Sequence, residues 1–334
     1  MTEMQERNSE LKTLMIGGVP FTHEEYYNQL TVSASAFVTS ETQERLRRAQ
    51  ILVAGVGSIG NPIAMMAVRS GAENVTVMDP GDIEVSNFPR QNYTIEQIGM
   101  NKAQATVSNM LSINPFASES IQSVPEGMTL SNVREYVEKA DIVVDGVDIR
   151  ALDVIYALHK CAAELKKPVL VGYDLAGTAM IAVYRYDLEN IKPLKGELTE
   201  EKIEEFSGVQ AAYTDGLISE SAFLDYVYDA FTGPIKPLDV PIEQLEEILG
   251  RDDSVNRTFQ IGTTSTVLSA LAVEAMRRIL VGEKVRDTII VDLPSEVRRK
   301  SSNPKVLQKI PLLLRTLKVL NERGERVKKM LSDI

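Results

Sequence analysis

Ile51-Leu52-Val53-Ala54-Gly55-Val56-Gly57-Ser58-Ile59-Gly60 is the stretch from which the fold is read. A continuous apolar run ending in glycine predicts a strand buried on both faces, as in a parallel sheet. The next residues, 61–71, predict a helix with Pro62 in its first turn and Gly71 at its end. Between strand and helix, Gly55, Gly57 and Gly60 form G-x-G-x-x-G in the context that gives this pattern its meaning. The first glycine permits the tight turn, the second lets backbone approach a phosphate or ribose, and the third lets helix and strand pack closely. The helix N-terminus adds free N–H donors and partial positive charge. Three ordinary turn glycines are the other reading.

The alternation continues outward in both halves of the chain. Strands are predicted at 74–79, 118–124, 141–146, 168–173 and 288–293, and helices at 102–115, 132–140, 151–167 and 263–281. Residues 178–186 alternate in polarity and predict an antiparallel or edge strand. The sum is an α/β fold: a Rossmann-like, mostly parallel sheet with helices on both faces. Residues 1–48 read as an N-terminal arm, partly helical, and 49–186 as a nucleotide-binding domain. Residues 187–258 read as an acidic helical insert, and 259–334 as a C-terminal part completing the nucleotide-binding domain. Within it, 304–332 predict an amphipathic helical segment interrupted by Pro311 and Gly324.

Asp79 closes the second strand, 19 residues after Gly60, where an acid can accept ribose hydroxyls. Glycines and acid together say adenosine nucleotide: NAD, FAD, SAM or ATP. Residues 79–105 then add Asn87, Arg90, Gln91 and Lys102 at the same edge of the sheet. ATP is a polyanion, and a site that splits it needs several cations; Arg90 offers a planar fork and Lys102 a mobile point charge. Singly, each also reads as a surface residue. Asp145 and Asp148 follow a buried strand at the same mouth. One or two carboxylates plus substrate phosphates suffice for Mg2+, and Asp148 is the preferred ligand, with Asp145 holding hydrogen bonds behind it. Asp148 also reads as a plain helix cap.

The rest of the composition narrows the class. A formal net charge of −11 argues against a broad nucleic-acid surface. No apolar run reaches membrane-span length, and the charged N-terminus lacks an apolar signal core. The single cysteine, Cys161, excludes an internal disulfide and a thiolate zinc site, and points to a reducing cytoplasm. Cys161 lies at helical spacing among apolar residues and reads as a buried, inert thiol. His23 and His159 sit in no catalytic or metal pattern.

The ordered segments ILVAGVGSIG, VTVMDPGDIEVSNFPRQ, IGMNKA, SINP and ADIVVDGVD resemble the ubiquitin-activating-enzyme-like adenylyltransferases, the ThiF, MoeB and HesA types and their peptide-modifying relatives. The resemblance covers 43–186 and, more weakly, 261–293. It implies that the glycine loop cradles ATP and Asp79 binds ribose, while Asn87, Arg90 and Lys102 meet the phosphates and Asp148 holds Mg2+. It implies adenylation of a carboxylate with release of pyrophosphate, and a homodimer. Partners would be a ubiquitin-like or sulfur-carrier protein, or a precursor peptide. There are departures. The zinc cysteines and a cysteine in the crossover are missing. Tyr27-Asn28-Gln29 lacks the arginine that relatives send to the partner subunit, for which Arg45, Arg47 or Arg48 are substitutes. Two alternatives stay open: a non-catalytic nucleotide-binding partner subunit, and an NAD- or SAM-dependent Rossmann enzyme, which leaves Arg90, Lys102 and Asp148 without a task.

Overall fold

The computed structural model describes residues 13–231, 233–251, 259–298 and 306–332. Parts of the arm (1–12), of the insert (232 and 252–258) and of the C-terminal segment (299–305 and 333–334) lie outside the described residues. The described arm opens with a hairpin, β1 (Leu14–Ile16) and β2 (Val19–Phe21), turning at Gly17-Gly18 with both φ positive. Sequence reading missed it, since strands of three residues carry no usable period. Helices α1 (His23–Thr31) and α2 (Ser40–Arg48) follow. Thr22 caps α1 in a capping box with Glu25, and Thr39 caps α2.

The body then alternates β3 (Gln50–Ala54), α3 (Gly60–Arg69), β4 (Asn74–Met78), α4 (Lys102–Ile113), β5 (Gln122–Val124), α5 (Val133–Lys139), β6 (Ile142–Asp145), α6 (Leu152–Glu164), β7 (Val169–Leu175) and β8 (Thr178–Tyr184). The insert supplies α7 (Glu200–Thr214), α8 (Glu220–Ala230) and α9 (Ile242–Gly250). After it come α10 (Gly262–Leu280), β9 (Thr288–Asp292), the short α11 (Leu293–Val297) and α12 (Val306–Ser332).

The main sheet has the order β5-β4-β3-β6-β7-β8-β9. β5, β4, β3, β6 and β7 run parallel, and β8 and β9 each pair antiparallel with the preceding strand. β8 is therefore antiparallel, as its alternation suggests, but interior, because β9 covers its outer side. β5 is shorter than the expected 118–124: a 3-10 turn at Pro115–Ala117 carries the chain on, and the Ile121 N–H bonds back to the Ala117 carbonyl.

Alternation along the strands divides the core in two. Ile51 and Val53 point into a cluster with α3, α4, α10 and Leu46 of α2. Leu52 and Ala54 point into the other, with α5, α6 and insert residues such as Phe206 and Phe223. A fully buried side chain of this size contributes about 2 kcal/mol. The arm is thus anchored in the first core by Leu46. α10 packs as a core helix, its Leu268, Ala272, Val273 and Met276 buried against the sheet.

α12 runs unbroken through Pro311 and Gly324, where interruptions were expected. Pro311 falls early in the helix, where it removes a single intrahelical bond. Gly324 is where the helix lies against Asp229, and a Cβ there would overlap that carboxylate. α12 packs on α8 and α9, and Val327 joins the insert's core, so this segment sits with the insert, while β9 joins the sheet and α10 packs on it.

Candidate nucleotide site

Strand order reverses direction around β3: the chain moves from β3 to β4 on one side and later to β6 on the other. A crevice opens at the C-terminal ends of such strands, and ligands of open α/β sheets bind there. Gly55 leaves β3 with φ +84°, and a Cβ on it would overlap the Gly146 carbonyl oxygen at the end of β6. Gly60 starts α3, and a Cβ there would overlap the Gly55 carbonyl and stand 2.8 Å from Val53 Cγ1. At Gly57 an added Cβ meets nothing within 4 Å. The outer two glycines are required by the fold itself, and the middle one faces open space where a phosphate or ribose can approach.

Asp79 is fixed beside the loop. Its Oδ2 accepts the Val56 N–H (2.9 Å) and its Oδ1 the Gly81 N–H (2.8 Å). Each oxygen keeps a second lone pair for an outside donor. Asn101 caps α4 by accepting the Ala103 and Gln104 N–H groups, and its amide donates to the Asp79 carbonyl at 2.9 Å. This places Lys102 at the first turn of α4, over the same spot: a methyl on Gly81 would stand 3.1 Å from Asp79 Oδ1 and 3.2 Å from Lys102 Nζ. The Tyr93 hydroxyl donates to the Val56 carbonyl (3.0 Å) and meets Thr106 Oγ1 (3.0 Å), while the Asn61 amide donates to that same Thr106 oxygen. Burial pushes the Tyr93 phenol's pKa up. This buried network ties the loop, α3 and α4 together.

The other expected residues are placed differently. Asn87 is buried, and its Oδ1 accepts the Glu84 N–H within its own turn. Arg90 Nη1 donates to the Ser86 carbonyl at 2.7 Å. Residues 88–92 lie against the first turn of α3, where the Asn92 N–H donates to Asn61 Oδ1. Against them sits the start of α10: a Cβ on Gly262 would overlap the Pro89 carbonyl and come 3.5 Å from Arg90 Cα. An open cavity of about 170 Å³ lies here, bounded by Pro62, Met65, Phe88, Arg90, Gln91 and Thr266. The buried Arg90 Nε and Gln91 Oε1 find no hydrogen-bond partner among the described residues. Arg90 and Gln91 thus border the loop through α3 and hold unspent hydrogen-bonding capacity.

At the end of β6, Asp145 is buried. Its Oδ1 accepts the Val147 N–H, and its Oδ2 lies 3.2 Å from His159 Nε2. His159 Nδ1 in turn meets the Tyr186 hydroxyl at 2.9 Å, which accepts the Leu194 N–H. His159 is thus satisfied within the core. Asp148 is exposed, its side chain at 61%, and caps the 3-10 turn 149–151 through the Arg150 N–H. Its carboxylate is gripped by Arg150 Nη1, at 3.3 and 3.2 Å from the two oxygens. Among the described residues no group of three or more His, Cys, Asp or Glu side chains forms a metal cage. A single carboxylate is the donor set expected of Mg2+ completed by phosphates and water, so the residues present fit that ion.

Sequence reading did not single out Arg150 or Asp174, and it took Asn101 only as part of the segment IGMNKA, with no role of its own. Asp174 is the last residue but one of β7, and its Oδ2 accepts the Ile261 N–H at 3.0 Å. Burial pushes its carboxyl up to about 6, against the opposing pull of the Ile261 amide, Thr264 and Arg90. Its one visible cue is an acid at a strand's C-terminal end. Cys161 is half-buried rather than buried, and desolvation raises its thiol pKa, so nothing activates it. Arg47 is committed to joining the arm to the body: it bonds Glu24 of the arm and Glu73 before β4, and lies 4.0 Å over the Tyr27 ring. Arg45 and Arg48 are exposed, pairing with Glu41 and Glu44 on their own helix. All three precede β3, so within one chain they stand at the sheet edge opposite the glycine loop, a strand length of roughly 17 Å away.

A model of the ThiF family matches residues 27–304. The sulfur carrier protein adenylyltransferase of Thermus thermophilus is 32% identical over 150 residues, 45% of this chain and 54% of that protein. The adenylyltransferase and sulfurtransferase UBA4 of Lodderomyces elongisporus is 28% identical over 152 residues, 45% of this chain and 32% of that protein. The chain thus spans about half, or less, of the length of these relatives. Among solved structures, that of PaaA superposes with a TM-score of 0.54 at 17% identity, covering 87% of this chain and 76% of that one, a likeness of fold. No helix among the described residues is long and apolar enough to cross a membrane.

Proposed function

The chain belongs to the ThiF family, and from that premise we propose that it binds ATP at the glycine loop and adenylates a carboxylate, releasing pyrophosphate. The observation that carries this reading is the open space at Gly57 with Asp79 and Lys102 gathered beside it. A carboxylate oxygen attacks the α-phosphorus, the bond from α-phosphorus to bridging oxygen breaks, and its electron pair leaves with pyrophosphate. The attacking carboxylate is already ionised at neutral pH, so no general base is needed. The chain's own task is positioning and charge. Asp79 receives the ribose hydroxyls, and the loop and the start of α3 offer N–H groups to phosphate. Lys102 and Arg90 offset charge on the phosphates, with Asn87 and Gln91 in support. Asp148 would hold Mg2+, which when bound neutralises the departing pyrophosphate.

The acceptor we propose is the C-terminal carboxylate of a small ubiquitin-like or sulfur-carrier protein, or of a precursor peptide. The name of the Thermus thermophilus relative supports the first. A homodimer belongs to the reading: no copy carries an arginine near Tyr27, so a later arginine of the second copy takes its place. Arg45 and Arg48, exposed as they are, suit that task better than Arg47. A single unactivated cysteine suits a cytoplasmic protein whose chemistry ends at the adenylate or passes it to an outside nucleophile. ATP–pyrophosphate exchange with candidate acceptors tests the proposal. Exchange that depends on a carboxylate acceptor is expected; nucleotide binding without exchange for any acceptor would favour the non-catalytic subunit.

A further inference from the structure

Arg150 lies between two carboxylates that belong to different parts of the molecule. Its Nη1 grips Asp148 at the mouth of the nucleotide site, at 3.2 and 3.3 Å. Its Nη2 donates to Glu220 Oε1 at 2.8 Å, in the first turn of α8 in the insert. Its carbonyl accepts the Gln210 amide at 3.5 Å, a second thread to the insert, from α7. The guanidinium and Glu220 are both largely covered, with side-chain exposures of 29% and 27%, whereas Asp148 faces solvent.

The arrangement poses a conflict. A carboxylate that coordinates a hard cation must surrender lone pairs that now serve a guanidinium, and two positive groups cannot share it at equal strength. We propose that Arg150 is a positioning residue that competes with the divalent cation for Asp148, so that loading the metal–nucleotide transfers Arg150 wholly to Glu220 of the insert. The idea rests on the reading of Asp148 as the metal ligand. The exchange is feasible because Glu220 remains as a counter-ion: Arg150 is not left as a half-buried, unpaired charge, the state that makes breaking such a pair costly. Glu220 stands in the first turn of α8, where its own charge is favoured by the helix dipole, and it keeps its place when Asp148 departs. The segment that carries the insert is thereby linked to the occupancy of the site through one side chain.

The test is Mn2+ binding to the full chain in the presence of a non-hydrolysable ATP analogue, followed by electron paramagnetic resonance. Removal of the competing cation in Arg150→Met is expected to tighten Mn2+ by about threefold to tenfold, the range for a partly exposed ion pair. Arg150→Lys keeps the charge without the fork and is expected to fall between Met and wild type, which also guards against a folding defect in the Met variant. Hydrogen exchange at 219–223 is expected to rise in Arg150→Met as α8 loses its tie. Mn2+ binding that is unchanged or weakened in Arg150→Met would overturn the competition. The parallel variant Asp148→Asn separates the two ideas. Weaker Mn2+ binding there upholds the metal reading whatever Arg150 does, and undiminished binding removes that reading and the proposal with it.

Discussion

The glycine loop permits a sharp test because its glycines differ in what surrounds them. At Gly60 an alanine methyl would be driven into the Gly55 carbonyl and to 2.8 Å from Val53 Cγ1. Backbone cannot yield as a flexible side chain does, so the loop and the β3–α3 packing must shift. Overpacking of this kind costs about 1–3 kcal/mol, and the rigid neighbour puts Gly60→Ala near the upper end, about 3 kcal/mol. For a chain of 334 residues, at about 2.1 cal/mol/K of unfolding entropy per residue, that is roughly 4 °C in melting temperature. At Gly57 the same methyl meets nothing within 4 Å, and this glycine is not among those with positive φ. Gly57→Ala is therefore expected to melt within about 1 °C of wild type, the change being within about 0.5 kcal/mol. It enters the space that the proposed function gives to phosphate, however. Loss of one charge-assisted hydrogen bond, about 1.5–3 kcal/mol, weakens ATP by roughly tenfold to a hundredfold. Differential scanning fluorimetry and titration calorimetry with a non-hydrolysable ATP analogue measure the two effects. Wild-type nucleotide affinity in a folded Gly57→Ala would refute the assignment of that space, and a wild-type melting curve for Gly60→Ala would refute the steric argument.

Further expectations concern single side chains. Lys102→Ala and Asp148→Ala should each lower ATP–pyrophosphate exchange by about two to three orders of magnitude while the far-UV circular dichroism spectrum is kept. Cys161→Ala should retain exchange, since the raised thiol pKa leaves no nucleophile at neutral pH; complete loss in a folded variant would count against a mechanism without cysteine. Asp174 has a folded pKa of about 6 against 3.8 for the free group. A carboxyl raised in this way stabilises fully below the unfolded value and loses that contribution as pH rises through about 6. The shift corresponds to about 3 kcal/mol, and to about 1–2 kcal/mol after solvent screening of a partly exposed group. In urea denaturation Asp174→Asn should thus exceed wild type by about 1–2 kcal/mol at pH 8, with the gap closing toward pH 4. A gap that widens on acidification would reverse the assignment.

Local sequence was enough for the parallel strands, the helices between them and the glycine loop, because each has a period or a boundary residue written within a dozen positions. β3, α3 and β4 are legible from apolar runs, Pro62 and Gly71 alone. The places of the candidate residues Asp79, Lys102 and Asp148 were legible for the same reason: each follows a strand or opens a helix at the C-terminal edge of the sheet. The hairpin at 14–21, the interior place of β8 and the unbroken α12 were not. The hairpin is local, but its three-residue strands are too short to show a period; the other two depend on partners far away in the chain, since β9 covers β8, and α8 and α9 receive α12. The tertiary structure alone also decided which side chains meet across the insert. Nothing in the spacing of Asp148, Arg150 and Glu220 joins a residue 70 positions away to the mouth of the site. Short-range chemistry set the glycine turn and the start of α3, because a turn and a helix end are local objects. The company kept by Asp148 was settled by packing, because an ion pair needs proximity in space, which sequence distance does not encode.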